Sequence, residues 1–163
     1  MHRRTLLAAA LAASAVALTG CGFQPLYGGP SGVSLDGISL EQTGDTRLDY
    51  LLRDELRNSF RSGGRYRLVL EPVDVQRVGT GIGADGLATR YALNLTVSYQ
   101  IFETGNAEPV FDGSVSGSGT YNIPSQPYAA IASQREGEEL AARSAANRLT
   151  LQVARFLRTH EGN

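Results

Sequence analysis

Arg90-Tyr91-Ala92-Leu93-Asn94-Leu95-Thr96-Val97-Ser98-Tyr99-Gln100-Ile101 decides the fold class. Tyr91, Leu93, Leu95, Val97, Tyr99 and Ile101 occupy one face of an extended chain. Arg90, Ala92, Asn94, Thr96, Ser98 and Gln100 occupy the other. Successive strand side chains point to opposite sides, so this alternation describes a strand buried on one face and wet on the other. Such a strand belongs to an antiparallel sheet whose apolar face needs a second layer to cover it.

The flanking sequence supplies both. Upstream, Tyr66, Leu68 and Leu70 alternate with Arg65, Arg67 and Val69. Pro72 interrupts, and Val73 and Val75 resume on the opposite parity; a phase change across a Pro marks a bulge or an edge strand. Downstream, a turn at Thr104-Gly105-Asn106 precedes a further strand carrying Phe111, Val115, Tyr121 and Ile123, with a centre rich in Gly and Ser. Val33, Leu35, Ile38 and Leu40 suggest a short first strand, with Gly37 as a bulge.

Two segments follow the helical period. Leu48, Leu52, Leu56 and Phe60 recur every four residues, with Leu51 widening the stripe, which predicts a helix over residues 46–62. Thr46 to Asp49 fits a capping box, Gly63-Gly64 a stop, and Asp49 with Arg53 a solvent-side i,i+4 pair. Ala142, Ala146, Leu149, Val153 and Phe156, with Ala145 and Leu157 beside them, predict a long C-terminal helix opened by Ser125 and Pro127; Gly137 would bend or break its first turns. The expected fold is α+β. It is a two-layer sandwich in the order β-α-β-β-β-α, with two amphipathic helices on one face of a four-stranded, mainly antiparallel sheet.

The N-terminus has a different character. Arg3 and Arg4 precede an uncharged stretch of Leu, Ala and Val over residues 6–18, then Thr19, Gly20 and Cys21. Basic start, apolar core and small residues are the layout of a secretory signal, and the apolar stretch is too short to span a bilayer, which needs ~20 residues. Leu18-Thr19-Gly20-Cys21 resembles the bacterial lipobox. In signals of that kind the Cys thiol takes a diacylglycerol, the chain is cut on the N-terminal side of the Cys, and the new amine is usually acylated, with palmitate as the expected chain. The expectation is a cleaved signal over residues 1–20, a lipidated and Gly/Pro/Ser-rich tether over 21–32, and one domain over 33–160. Gly22 follows the Cys, so the Asp of inner-membrane retention is missing and the periplasmic side of the cell outer membrane is the expected location. Several acyl chains, each buried methylene contributing ~0.8 kcal/mol, would hold the protein there.

Composition narrows the chemistry. The chain has 163 residues, 15 basic and 16 acidic, and every cation is Arg. That balance lacks the basic excess of a nucleic-acid binder. Cys21 is the only Cys, so no disulfide and no Cys cluster for zinc is possible. His2 leaves with the signal and His160 sits at the end, so a Ser-His-Asp arrangement has no base. Glu136, Glu138 and Glu139 read as a solvated helix face. Gly81, Gly83 and Gly86 spell G-x-G-x-x-G, but a strand follows instead of the helix that would receive a phosphate, so the stretch reads as a hairpin loop. No catalytic residue, metal or cofactor is expected, and the chain does not read as an enzyme. Arg77 and Arg90 flank the loop, and guanidinium groups can pair bidentately with phosphate.

Cys21-Gly22-Phe23-Gln24-Pro25-Leu26-Tyr27-Gly28 strongly resembles the start of the mature lipoproteins of the LptE family. Looser agreement covers the rest: Arg90 to Leu93, Val97 to Gln100, and Tyr128-Ala129 at the last helix. The resemblance implies a lipoprotein that plugs and helps assemble the outer-membrane β-barrel LptD and assists insertion of lipopolysaccharide into the outer leaflet. It implies two helices on a four-stranded sheet, and makes lipopolysaccharide phosphates the expected ligands of Arg77 and Arg90. The other functional reading is an auxiliary lipoprotein of a periplasm-spanning lipid transport system, without a plug role.

Overall fold

The computed structural model describes residues 35–57, 59–84 and 86–160. The lipobox, Cys21 and the tether lie outside these residues. In chain order the elements are β1 (Asp36–Gln42), α1 (Arg47–Leu56), β2 (Arg61–Leu70), β3 (Asp74–Ile82), β4 (Ala88–Glu103), β5 (Pro109–Asn122) and α2 (Pro127–His160).

The strand that carries the strict alternation, β4, is the spine of the sheet. One of its edges pairs antiparallel with β5, in a register that places Val97 opposite Val115. Its other edge is shared. β2 covers the C-terminal half, with Leu68 opposite Ile101, and β3 covers the N-terminal half, with Arg77 opposite Leu93. β1 lies parallel to β2.

This corrects two expectations. Among the described residues the sheet has five strands, the elements follow the order β-α-β-β-β-β-α, and the sheet is mixed instead of mainly antiparallel. The parallel pair arises because β1, α1 and β2 form a crossover, and a helix between two neighbouring strands returns the chain to the same end of the sheet. The fifth strand arises at Pro72. Leu70 pairs with Tyr99 and Asp74 with Thr96, so the β2–β3 side carries one residue more than β4 across the junction. Pro72 cannot donate to the ladder, and the extra residue is the bulge that its phase change implied. Glu71 N–H still reaches Ser98 O at 3.0 Å. The insertion returns Val73 and Val75 to the apolar side, where they pack against the core.

α1 ends at Leu56, earlier than its stripe suggested. Ser59 and Phe60 N–H both turn back to Leu56 O, and Phe60 is buried at the entry to β2. Gly63-Gly64 is therefore no helix stop; it lies within β2. Gly63 and Gly37 both have φ +93°, and a Cβ on Gly64 would fall 1.3 Å from Gly37 O. The two strands touch there backbone to backbone, beside the register shift between Asp36 and Ile38.

α2 runs unbroken through Gly137. It crosses β5 so closely that a Cβ on Gly117 would sit 2.1 Å from Ala141 O, and one on Gly119 2.1 Å from Gly137 O. That contact explains the Gly-rich centre of β5. Ala141, Ala142 and Ala145 are fully buried on the helix side, where small side chains permit the approach. Leu93, Leu95, Val97 and Ile101 of β4 are likewise fully buried, each contributing roughly 1.5–3 kcal/mol. Leu48 of α1 shares one cluster with Leu93, Leu95, Tyr121, Ala141 and Ala142, so side chains from both helices meet the same face of β4.

Among the described residues, no helix is long and apolar enough to cross a membrane.

Candidate functional site

The helices cover one face of the sheet, and the other carries a ladder of small polar side chains. Across β4 and β5, Asn94 faces Ser118, Thr96 faces Ser116, Ser98 faces Ser114 and Gln100 faces Asp112. β3 adds Asp74 beside Thr96 and Gln76 beside Asn94. Asn94, Thr96, Ser114, Ser116, Ser118 and Thr120 are all exposed. Short neutral side chains lose little rotamer entropy when covered, far less than Lys, Arg or Glu. The centre of this face can therefore lie in water or against a polar wall at small cost. Charge is kept to its margin, where Arg67 pairs with Glu41 at 2.9 Å and stacks over the Phe102 ring.

The free edge of β5 is not open to another strand along its whole length. Arg148 on α2 donates to Ser116 O at 2.9 Å, and Asn122 N–H donates to Ser133 Oγ at 3.1 Å. Side chains from α2 thus occupy edge groups that would otherwise recruit a strand.

The two arginines singled out in the sequence do not come together. Arg90 opposes Asn122 on the open face and donates from Nε to its Oδ1 at 3.0 Å. Arg77 opposes Leu93 and so projects on the helix side, where its Nη2 lies 3.9 Å from Glu138 Oε1. One phosphate cannot bridge them through the sheet. Between them, Gly83 N–H reaches Leu87 O at 2.8 Å where β3 turns into β4. The hairpin expected at G-x-G-x-x-G is present, but Gly81 and Ile82 still belong to β3, opposite Arg90 and Ala88, so the loop is shorter than the stretch suggested.

Glu138 is a residue that sequence reasoning missed. Glu136 and Glu139 are exposed, but Glu138 is only 5% exposed. Its carboxylate accepts from Arg47 Nε at 3.0 Å and from Gln134 Nε2 at 2.9 Å. The cations come from α1 and β3, so no local pattern on α2 could have revealed them.

Asp49 departs from expectation in the same way. It is completely buried, not on the solvent side, and Arg53 donates instead to Gln42 Oε1 at 3.2 Å. The capping box is present, with Thr46 N–H on Asp49 Oδ2 at 2.8 Å. Asp49 Oδ1 accepts the Val73 N–H at 3.0 Å and the Gln42 amide at 3.3 Å. Burial pushes this carboxyl up, but hydrogen bonds from the Thr46 hydroxyl, the Val73 and Thr46 backbone and the Gln42 side chain outweigh it. They hold Asp49 below the usual carboxylate range.

His160 is the last described residue of α2. It stacks on Phe156 at 4.1 Å with Nδ1 on Phe156 O at 2.9 Å. It lines a groove of about 470 Å³ with Phe111, Ser114 and Arg155. Among the described residues, no carboxylate lines this groove. Among the described residues, no group of His, Cys, Asp and Glu could hold a metal ion.

The family model described as LptE, Lipopolysaccharide-assembly, matches residues 34–157. A comparison with curated proteins returns no match. Among solved structures, a lipoprotein from Caulobacter crescentus CB15 is 34% identical with a TM-score of 0.60, over 80% of this chain and 95% of that one. Rare lipoprotein B from Shewanella oneidensis shares 20% identity with a TM-score of 0.54, over 78% and 99% of the two chains. A minor lipoprotein from Acinetobacter baumannii shares 20% identity with a TM-score of 0.56, over 75% and 92%. At that identity the last two speak for the fold alone. With most of its length matched by the family model, and a fold shared with these lipoproteins, the chain belongs to the LptE family of lipopolysaccharide-assembly proteins.

Proposed function

We propose that this protein is a non-enzymatic outer-membrane lipoprotein that plugs and helps assemble an LptD-like β-barrel and assists insertion of lipopolysaccharide into the outer leaflet. The observation that carries the reading is the open sheet face. Its centre is a ladder of Ser, Thr, Asn and Gln side chains without Lys, which suits the wet, polar wall of a barrel lumen. Acylated Cys21, facing the periplasm, would tether the plug beside its barrel, and several acyl chains suffice for stable anchoring. Arg77 and Arg90 serve as separate lipopolysaccharide contacts in this reading, one on each side of the sheet.

Pull-down of the tagged protein from detergent-extracted outer membrane tests the assignment. An LptD-like barrel should co-purify, and depletion should leave that barrel misassembled and lipopolysaccharide held in the periplasm. Co-purification with an inner-membrane ATPase complex, with a barrel that matures normally, would instead establish the auxiliary transport role.

A further inference from the structure

Arg47, Arg77 and Glu138 come from α1, β3 and α2 and converge on the helix side of the sheet. Arg47 donates from Nε to Glu138 Oε2 at 3.0 Å, while Arg77 approaches Oε1 at 3.9 Å. The Glu138 side chain is 6% exposed, whereas those of Arg47 and Arg77 are 52% and 47% exposed. Two guanidinium groups thus share one carboxylate, leaving one positive charge uncompensated within the trio. A guanidinium carries five N–H donors. Arg47 spends only Nε–H on a hydrogen bond among the described residues, and Arg77 spends none.

We infer that Arg47 and Arg77, oriented by Glu138, form a binding site for a phosphoryl group. The pinned Nε of Arg47 restricts that guanidinium before any ligand arrives, which removes part of the rotamer entropy lost on binding. Guanidinium forks match pairs of phosphate oxygens, and a tetrahedral phosphoryl group has enough oxygens for two forks, whereas a carboxylate has two. A phosphate monoester also supplies the charge that the trio lacks. Gln134 completes the hydrogen bonding of Glu138 Oε1 at 2.9 Å, so the carboxylate has reason to stay when the ligand binds. The phosphoryl group can belong to a lipid headgroup or to free phosphate. The inference rests on the proposed function only at Arg77, to which it adds Arg47 as a companion cation; Arg90, on the other face, is not part of this site.

The test follows the arginine Nε–Hε NMR signals of the mature lipidated protein in neutral detergent micelles. One arm adds inorganic phosphate; the other dopes the micelles with phosphatidic acid, a phosphate-monoester lipid. The Arg47 and Arg77 signals should move saturably while that of Arg67, held by Glu41, stays still. Response in both arms identifies the phosphoryl group itself as the ligand, and response to the doped micelles alone identifies the headgroup. Arg47→Lys and Arg77→Lys keep the charge and lose the fork, so each should weaken binding about tenfold, with Arg67→Lys, at a guanidinium already paired with Glu41 on the other face, as the unaffected control. Stationary signals in both arms, or equal binding by all three variants, would overturn the site. Either result leaves barrel co-purification as a separate readout, so the two proposals fail separately.

Discussion

Asp49→Asn should cost about 2–4 kcal/mol of folding stability, although the two side chains have nearly the same shape. The carboxylate accepts from two backbone N–H groups, Thr46 and Val73, and from the Thr46 hydroxyl and the Gln42 amide. An asparagine has one carbonyl oxygen for these donors and turns its own NH2 toward the rest. Hydrogen bonds to charged groups contribute about 1.5–3 kcal/mol each, and stranding one buried N–H costs about 1–3 kcal/mol. Two partly lost bonds with some relaxation therefore give the range stated. Had Asp49 been the solvent-side partner of Arg53, the loss would be only about 0.3–0.5 kcal/mol, so the magnitude separates the two arrangements. Acid titration gives the same answer by another route. Because the folded pKa is depressed, the stabilisation is complete above the unfolded value near 4 and is lost as pH falls through the lower folded value. Urea unfolding of wild type and variant at pH 7, then from pH 5 downward, measures both. The variant should show a lower midpoint at unchanged m-value and a flatter acid limb. A loss below about 0.5 kcal/mol at pH 7 would refute the reasoning.

Gly119→Val should destabilise by at least about 2 kcal/mol, although Val is the better strand former, because its Cβ would meet Gly137 O at 2.1 Å. Thermal unfolding by circular dichroism checks the sign. On β4, Leu95→Ala should cost about 2–5 kcal/mol and its neighbour Thr96→Ala within about 0.5 kcal/mol, since Leu95 is fully buried and Thr96 faces solvent. Paired denaturant titrations of the two variants measure that contrast.

What was legible in the sequence was what depends on near neighbours. The alternation from Tyr91 to Ile101 gave the central strand and its buried side, because strand period and burial are both local. Thr46 and Asp49 announced the capping box for the same reason. The phase change at Pro72 was visible too, but not that it divides two strands laid along one edge of β4; that depends on pairing with a segment some twenty residues on. The glycines of β5 were conspicuous without being interpretable, since their cause is the backbone of α2.

The same limit applies to the charged groups. Glu138 stands between two glutamates that do face solvent, and only Arg47 and Arg77 distinguish it. Asp49 had Arg53 at the right helical spacing, yet the bulge at Val73 and Gln42 on β1 claimed its second oxygen. Arg77 and Arg90 flank one loop in sequence and lie on opposite faces, because the register places one opposite Leu93 and the other opposite Asn122.

The plug reading turns on what touches the open face of β4 and β5. A photo-crosslinking side chain introduced at Thr96 or Ser118, both exposed there, would report that contact in intact cells. The account predicts a crosslinked product with an LptD-like barrel from both positions, and none from a crosslinker at buried Leu95. Crosslinks from the open face to periplasmic or inner-membrane components alone, with the barrel untouched, would contradict it.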